Sequence, residues 1–344
     1  MSTIKIALVF VGSMIGAGFA SGKEAWQFFG VFGIKGLAGI ALATLLYCFL
    51  GYISVVIAQA LNTGDIAKII CPFDNRLLKG FVGIMMCVFL LVAYVAMLAA
   101  GGALIEARVG VSHEIGSLGY MLLAILTALG GFERVASRIG KVAPVLVAGT
   151  LVIGFYLIFN NLEAISNAKE VAASPFASNW VFAAVGYVGY NMTAAVPVLG
   201  QCALRTKDSK SASKGIFLGG FLLGLCSLVL FFVTLNNPKM SASWDLPMLF
   251  FTRNISNVLG DIYAFFLLIA IFGAATTCFY GFTTKLGDVR GRAIIIWLVG
   301  ISGYVLSLYG FSNFVANVYP VVGYISITFF VMEIYNFVRI TKKS

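Results

Sequence analysis

The residues best suited to chemistry lie in the first apolar run. Gly12-Ser13-Met14-Ile15-Gly16-Ala17-Gly18-Phe19-Ala20-Ser21-Gly22-Lys23-Glu24 holds four glycines and an adjacent lysine and glutamate. Its flanks, residues 4–11 and 25–32, read as membrane-spanning helix. Each glycine weakens a helix, so this one is expected to come apart. Main chain freed from helical hydrogen bonds is tolerated at membrane depth only where it is buried in protein or lines a wet cavity. There its carbonyls can hold a cation, and the N–H groups opening the next half-helix can hold an anion. The break is read as half of a binding site.

A second stretch repeats the peculiarity. Val185-Gly186-Tyr187-Val188-Gly189-Tyr190-Asn191-Met192-Thr193 interrupts an apolar run with two glycines and an amide, and Pro197 follows one turn later. A second broken helix is expected there. Gly273, Thr276 and Thr277 stand at i, i+3 and i+4, so a carbonyl and two hydroxyls can share one helix face. Hard cations take such oxygens. The competing reading is ordinary, since threonines in spanning helices commonly bond back to their own main chain. Lys23 and Glu24 also carry two readings. Ionisable groups inside a span are candidates for function because leaving them unpaired costs several kcal/mol, yet an outer vestibule would also accommodate them. Glu24 is in addition a group that can take up a proton.

The elements that must position these groups follow from composition. The 344 residues are 60% hydrophobic and 10% charged, far from the quarter or so of charged residues in a soluble domain. A bilayer core needs about 20 apolar residues per helix. That rule gives spans at 4–32 (broken), 36–61, 80–105, 115–131, 142–160, 177–204 (broken), 215–235, 258–284, 293–309 and 314–338. The last two share an uncharged run, divided at the turn-like Gly310-Phe311-Ser312-Asn313. With both termini cytoplasmic, 17 Lys and Arg fall inside and six outside. The formal charge of +10 is thereby explained by orientation, with no nucleic-acid patch. Broken spans five apart imply two five-helix halves, 1–170 and 171–344, the second entering the membrane upside down. Broken helices at matching places in inverted halves point to a central site.

Other groups carry less. The cysteines Cys48, Cys71, Cys87, Cys202, Cys226 and Cys278 are scattered singly and read as small buried thiols. The N-terminal run lacks a small-residue cleavage site and reads as a retained first span. Residues 236–257 form a long external connection carrying Trp244, Leu246, Met248, Leu249, Phe250 and Phe251, readable as a lid or as an interfacial anchor. Glu106, Arg108, His113 and Glu114 read as solvated, and Glu333 in the last span as a group that pairs with a nearby helix, its partner not named by the sequence.

Gly12-x-x-x-Gly16-x-Gly18, the second interrupted span and Gly273-x-x-Thr276-Thr277 resemble the amino acid–polyamine–organocation superfamily and its sodium-symporter relatives with the LeuT fold. The run from Gly16 to Gly22, followed by Glu24, Trp26, Gln27, Phe28 and Phe29, is similar to the YkvI-type bacterial membrane proteins, a branch of that superfamily. The resemblance covers nearly all ten spans. It implies an all-α integral membrane fold with a five-plus-five inverted repeat. It also implies a Na+ site from the carbonyls of Gly12, Ile15 and Gly273 and the hydroxyls of Thr276 and Thr277. The substrate pocket it implies is lined by the backbone of Ala17 and Gly18 and by Tyr94, Tyr187, Gly189, Tyr190 and Asn191. Spans one, two, six and seven would rock against three, four, eight and nine. Lys23 and Glu24 depart from the symporter pattern and are candidates for coupling or gating.

The resulting expectation is a secondary active transporter in a bacterial cytoplasmic membrane, moving an amino acid or similar small zwitterion with Na+ by alternating access. A proton-coupled carrier and a non-transporting sensor resembling a germinant-receptor subunit are the alternatives. A passive channel fits glycine-broken helices poorly. Ser-His-Asp, HExxH, Walker and GxGxxG contexts are absent from the sequence, so no enzyme is expected. Oligomeric state leaves no sequence signal.

Overall fold

The computed structural model describes residues 1–14, 16–73, 75–130, 142–160, 178–206, 208–285 and 290–342. All regular elements among them are helical. In chain order they are α1 (Thr3–Met14), α2 (Ala17–Ala20), α3 (Lys23–Phe28), α4 (Lys35–Ala60), α5 (Ile66–Ile70), α6 (Arg76–Val109), α7 (His113–Gly130) and α8 (Val142–Asn160). There follow α9 (Trp180–Leu204), α10 (Ser209–Leu235), α11 (Pro238–Ser243), α12 (Pro247–Ile255), α13 (Asn257–Lys285), α14 (Arg292–Ser307), α15 (Phe311–Asn313) and α16 (Tyr319–Thr341).

Seven of the described helices are long and apolar enough to cross a membrane: α4, α6, α7, α9, α10, α13 and a run from Phe311 to Thr341. Thr3–Met14, Val147–Asn160 and Arg292–Ser307 are shorter apolar helices. The chain is a multi-pass membrane protein. Three of its long helices, α6, α9 and α10, start where polar side chains satisfy orphan N–H groups. Asn75 accepts from Leu77 and Leu78, Asn179 from Val181, and Asp208 from Lys210 and Ser211. Gly310, at φ +90°, makes the turn that separates α14 from the last long helix.

Packing divides the helices into two groups. α1, α4, α9 and α10 pack on one another, and α6, α7, α13 and α14 form a second set. α8 lies between α10 and α13, while α16 rests on α9 and α4. These are the sets that the resemblance names as a moving bundle and a scaffold.

One expectation is corrected. The sixth span is not broken: α9 runs without interruption from Trp180 to Leu204 through both glycines. Its polar groups hold the helix instead of opening it. Asn191 Nδ2 donates to the Tyr187 carbonyl at 3.0 Å and the Thr193 hydroxyl to the Gly189 carbonyl at 2.9 Å. The glycines serve helix contact. A methyl on Gly189 would stand 2.5 Å from the Gly323 carbonyl oxygen, and one on Gly323 would strike the Gly186 carbonyl. Small residues let α9 and α16 approach backbone to backbone, as helices in membranes do.

Candidate functional site

The first span does come apart. α1 stops at Met14, α2 starts at Ala17, and α3 starts at Lys23 after Gly22, whose φ of +79° is closed to ordinary side chains. The N–H of Gly16 turns back to the Met14 carbonyl at 2.9 Å, and the Gly16 carbonyl accepts from Ala20 at 3.0 Å. A methyl on Gly12 or Gly16 would meet no atom within 4 Å. These glycines therefore do not serve tight packing; they leave main chain open beside the break. The expectation for Ile15 lies outside the described residues.

Gly18 has a different role. A methyl there would collide with the Glu24 carboxyl, so the glycine makes room for that side chain. Glu24 is 4% exposed, and its Oε2 has no hydrogen-bond partner among the described residues. Tyr47 of α4, Tyr187 and Tyr190 of α9 and Tyr319 of α16 all lie within electrostatic range of it. Their rings interlock: Tyr187 and Tyr190 are 5.8 Å apart, Tyr190 and Tyr319 4.6 Å, and Phe28 lies 5.2 Å from Tyr187. Asn191 is buried at the edge of this cluster, close to Tyr47. The result is a carboxyl at a helix break, walled by tyrosine side chains. Such a wall suits an ammonium, which the carboxylate pairs with and the ring quadrupoles attract.

Lys23 turns the other way. Its ammonium is buried and donates to three main-chain carbonyls, Ser241 at 3.3 Å, Ala242 at 2.8 Å and Trp244 at 2.9 Å. These close the short α11 within the connection at 236–257. The Met248 N–H bonds the Ser21 carbonyl at 2.8 Å, and Asp245 accepts from the Ser312 N–H at 2.9 Å. Leu246, Met248, Leu249 and Phe251 are buried. The segment, which the lid reading concerns, packs on the protein through these contacts. Arg253 donates to the Ala107 carbonyl at 3.3 Å, and Arg108 pairs with Asp261, tying the same end together.

The cation-site candidates are more dispersed. On α13, Thr276 is buried and its hydroxyl donates to the Phe272 carbonyl at 2.8 Å, lying 3.1 Å from that of Gly273. Thr277 is exposed, as is Gly12 on α1. α13 meets the broken span at α2. Tyr94 stands apart from the tyrosine cluster, wholly buried and stacked on Phe279 at 4.4 Å.

Some participants carried no sequence signal. Tyr47 and Tyr319 are single tyrosines in apolar runs, indistinguishable from packing until the helices meet. The hydroxyl of Tyr263 on α13 donates to the Ala20 carbonyl at 2.6 Å and bonds Thr150 of α8 at 3.0 Å, holding the end of α2. Its relation to the break is a long-range contact that spacing does not reveal.

No family model matches the chain. It is 26% identical over 332 residues to the "Uncharacterized membrane protein YkvI" of Bacillus subtilis (strain 168), across 95% of this chain and 94% of that protein. Its identity to the "Uncharacterized protein YyaD" of the same organism is 23%, across 94% of each. Among solved structures it superposes on the inward-facing conformation of Mhp1 with a TM-score of 0.62 at 13% identity, covering 96% of this chain and 75% of that one. The fold is that of the LeuT-type transporters. MhsT in complex with L-phenylalanine gives 0.62 at 14% identity, covering 95% and 86%. A substrate-bound, outward-open Na+-coupled sialic acid symporter gives 0.61 at 14%, covering 90% and 74%. These neighbours of the LeuT-type fold are transporters rather than enzymes.

Proposed function

We propose that the chain is a secondary active transporter that moves a small amine-bearing zwitterion, an amino acid or a close analogue, by alternating access. The observation that carries this reading is the Glu24 carboxyl seated on Gly18 at the break of the first span and walled by Tyr47, Tyr187, Tyr190 and Tyr319. A buried carboxyl without a cationic partner, set beside an opened main chain and tyrosine rings, has room to take an ammonium or a proton. The reading keeps Ala17, Gly18, Tyr187, Tyr190 and Asn191 around the substrate, with Gly189 packed against α16, and Tyr94 on the scaffold side. It also keeps ten spans as an inverted pair of five, residues 1–170 and 171–344, in a bacterial cytoplasmic membrane with both termini inside. In that orientation the Lys23 latch closes the outer face. Gly12 and Thr277 are exposed as they would be in a carrier open to the cytoplasm.

Na+ is the coupling ion in this proposal, held by the carbonyls of Gly12, Ile15 and Gly273 and by Thr276 and Thr277 once α1 closes on α13. A proton taken by Glu24 is the second reading, favoured by its unpartnered Oε2. The deciding experiment measures thermal stability of the purified protein in Na+, K+ and choline at fixed ionic strength, with and without a panel of amino acids. Anything that binds the folded state alone stabilises it, by about 2.7 kcal/mol at a hundredfold excess over Kd. Na+-selective stabilisation that Thr276→Ala abolishes supports symport with sodium. A response to amino acids that is indifferent to Na+ and lost in Glu24→Gln supports the proton reading. No response to any amino acid overturns the substrate class, and binding without uptake in proteoliposomes makes the chain a sensor.

A further inference from the structure

Glu333 lies outside the site described above, on the buried face of α16, and is 0% exposed. Its Oε1 is 2.5 Å from the hydroxyl oxygen of Ser54 on α4. That same hydroxyl lies 2.9 Å from the Leu50 carbonyl, one turn back along α4. A serine has one hydrogen and serves one acceptor with it. If it goes to Leu50, the 2.5 Å contact requires a hydrogen supplied by the carboxyl. Glu333 Oε2 has no partner among the described residues, and neither does Oδ1 of Asn336, buried one turn further on the same face.

Among the described residues, no charged group stands against Glu333 to match an ionised carboxyl. On α4 the nearby group is Ser54, and Tyr47 of α4 and Tyr187 and Tyr190 of α9 have Glu24 as their carboxyl neighbour. Cys202 of α9 faces Arg205, Lys5 and the N-terminus. On α5, Asp65 and Lys68 are exposed, and the Lys68 and Ile69 carbonyls take the Asn336 amide at 3.2 and 2.9 Å. On α16 itself, Arg339 stands six residues further along and Tyr335 is exposed. An unmatched carboxylate in such a place is strongly disfavoured. A hydrogen on Glu333 satisfies every close contact: the acid donates to Ser54, and Ser54 to Leu50.

We propose that Glu333 is a proton-binding site, holding its proton inside the interface of α4 and α16 and able to release it only when those helices separate. Tyr319, Ser326 and Glu333 recur every seven residues along the buried face of α16. The site is therefore in line with the Glu24 cluster, about 21 Å away along the helix, while its protonation does not depend on which substrate or ion that cluster takes.

The test is infrared difference spectroscopy of the purified protein in lipid at neutral pH, following the carbonyl stretch of protonated carboxyls and its shift in D2O. Glu333→Gln should remove one such band while Glu24→Gln leaves it in place. Ser54→Ala keeps the carboxyl but deletes its hydrogen-bond acceptor, and should move the band to higher frequency. This variant also covers the case in which Glu333→Gln fails to fold. A spectrum without a protonated-carboxyl band, or with one indifferent to both Glu333→Gln and Ser54→Ala, overturns the proposal.

Discussion

At the scale of single residues, two glycines that look alike in the sequence separate by what lies against them. Beside Gly18 is the end of a flexible side chain, which can move aside. Gly18→Ala is therefore expected to fold with little loss of stability and to displace Glu24, weakening amino-acid binding by tenfold or more, about 1.4 kcal/mol, as read by the ligand-induced shift in melting temperature. Gly189 faces a main-chain carbonyl that cannot yield. Gly189→Ala should destabilise the protein by about 1–3 kcal/mol, as overpacking does, measured by thermal unfolding in detergent. The sequence showed both positions as helix breakers. It could not show that the second is a contact glycine, because Gly323, which decides the matter, lies on another helix.

At the scale of elements, the lid is fixed from below by a charge. Lys23→Met removes an ammonium that serves three carbonyls, and hydrogen bonds to charged groups are worth about 1.5–3 kcal/mol each. Faster amide exchange across residues 241–249 is expected, with α6 and α13 unchanged. Equal protection of the lid in the variant and the parent would show that the buried Leu246, Met248 and Leu249 hold it alone. A smaller effect belongs to the start of α10. The Ser211 hydroxyl and the N–H groups of Lys210 and Ser211 hold the exposed Asp208 carboxyl below the usual carboxylate range. A carboxyl so lowered adds stability above its unfolded value, near about pH 3.9, and loses it as the pH falls through the folded one. Asp208→Ala should lower the melting temperature at neutral pH and narrow its gap from the parent on acidification.

At the scale of the whole molecule, much is legible in the chain itself. Composition alone established a multi-pass membrane chain, and the glycine cluster located the break in the first span. The turn at Gly310 was visible as a cluster of turn residues. What stayed hidden depends on which helices meet. The tyrosine wall draws on α4, α9 and α16, so no local window contains it. The partner of Glu333 is Ser54, 279 positions away. The spacing of the polar groups in the sixth span fits unwinding and helix closure equally well. Their own hydrogen bonds to Tyr187 and Gly189 decide for closure.

The Lys23 latch hydrogen-bonds three main-chain carbonyls of the lid, with the Asp245 carboxyl within electrostatic range. Its three acceptors exist whatever residues occupy those positions, so the lid can drift in sequence at Ala242 and Trp244 while the fastening persists. The lysine has no such freedom. Among related chains the lid should vary and its lock should not, and a library randomised at 242 and 244 should retain closure where a single change at 23 loses it.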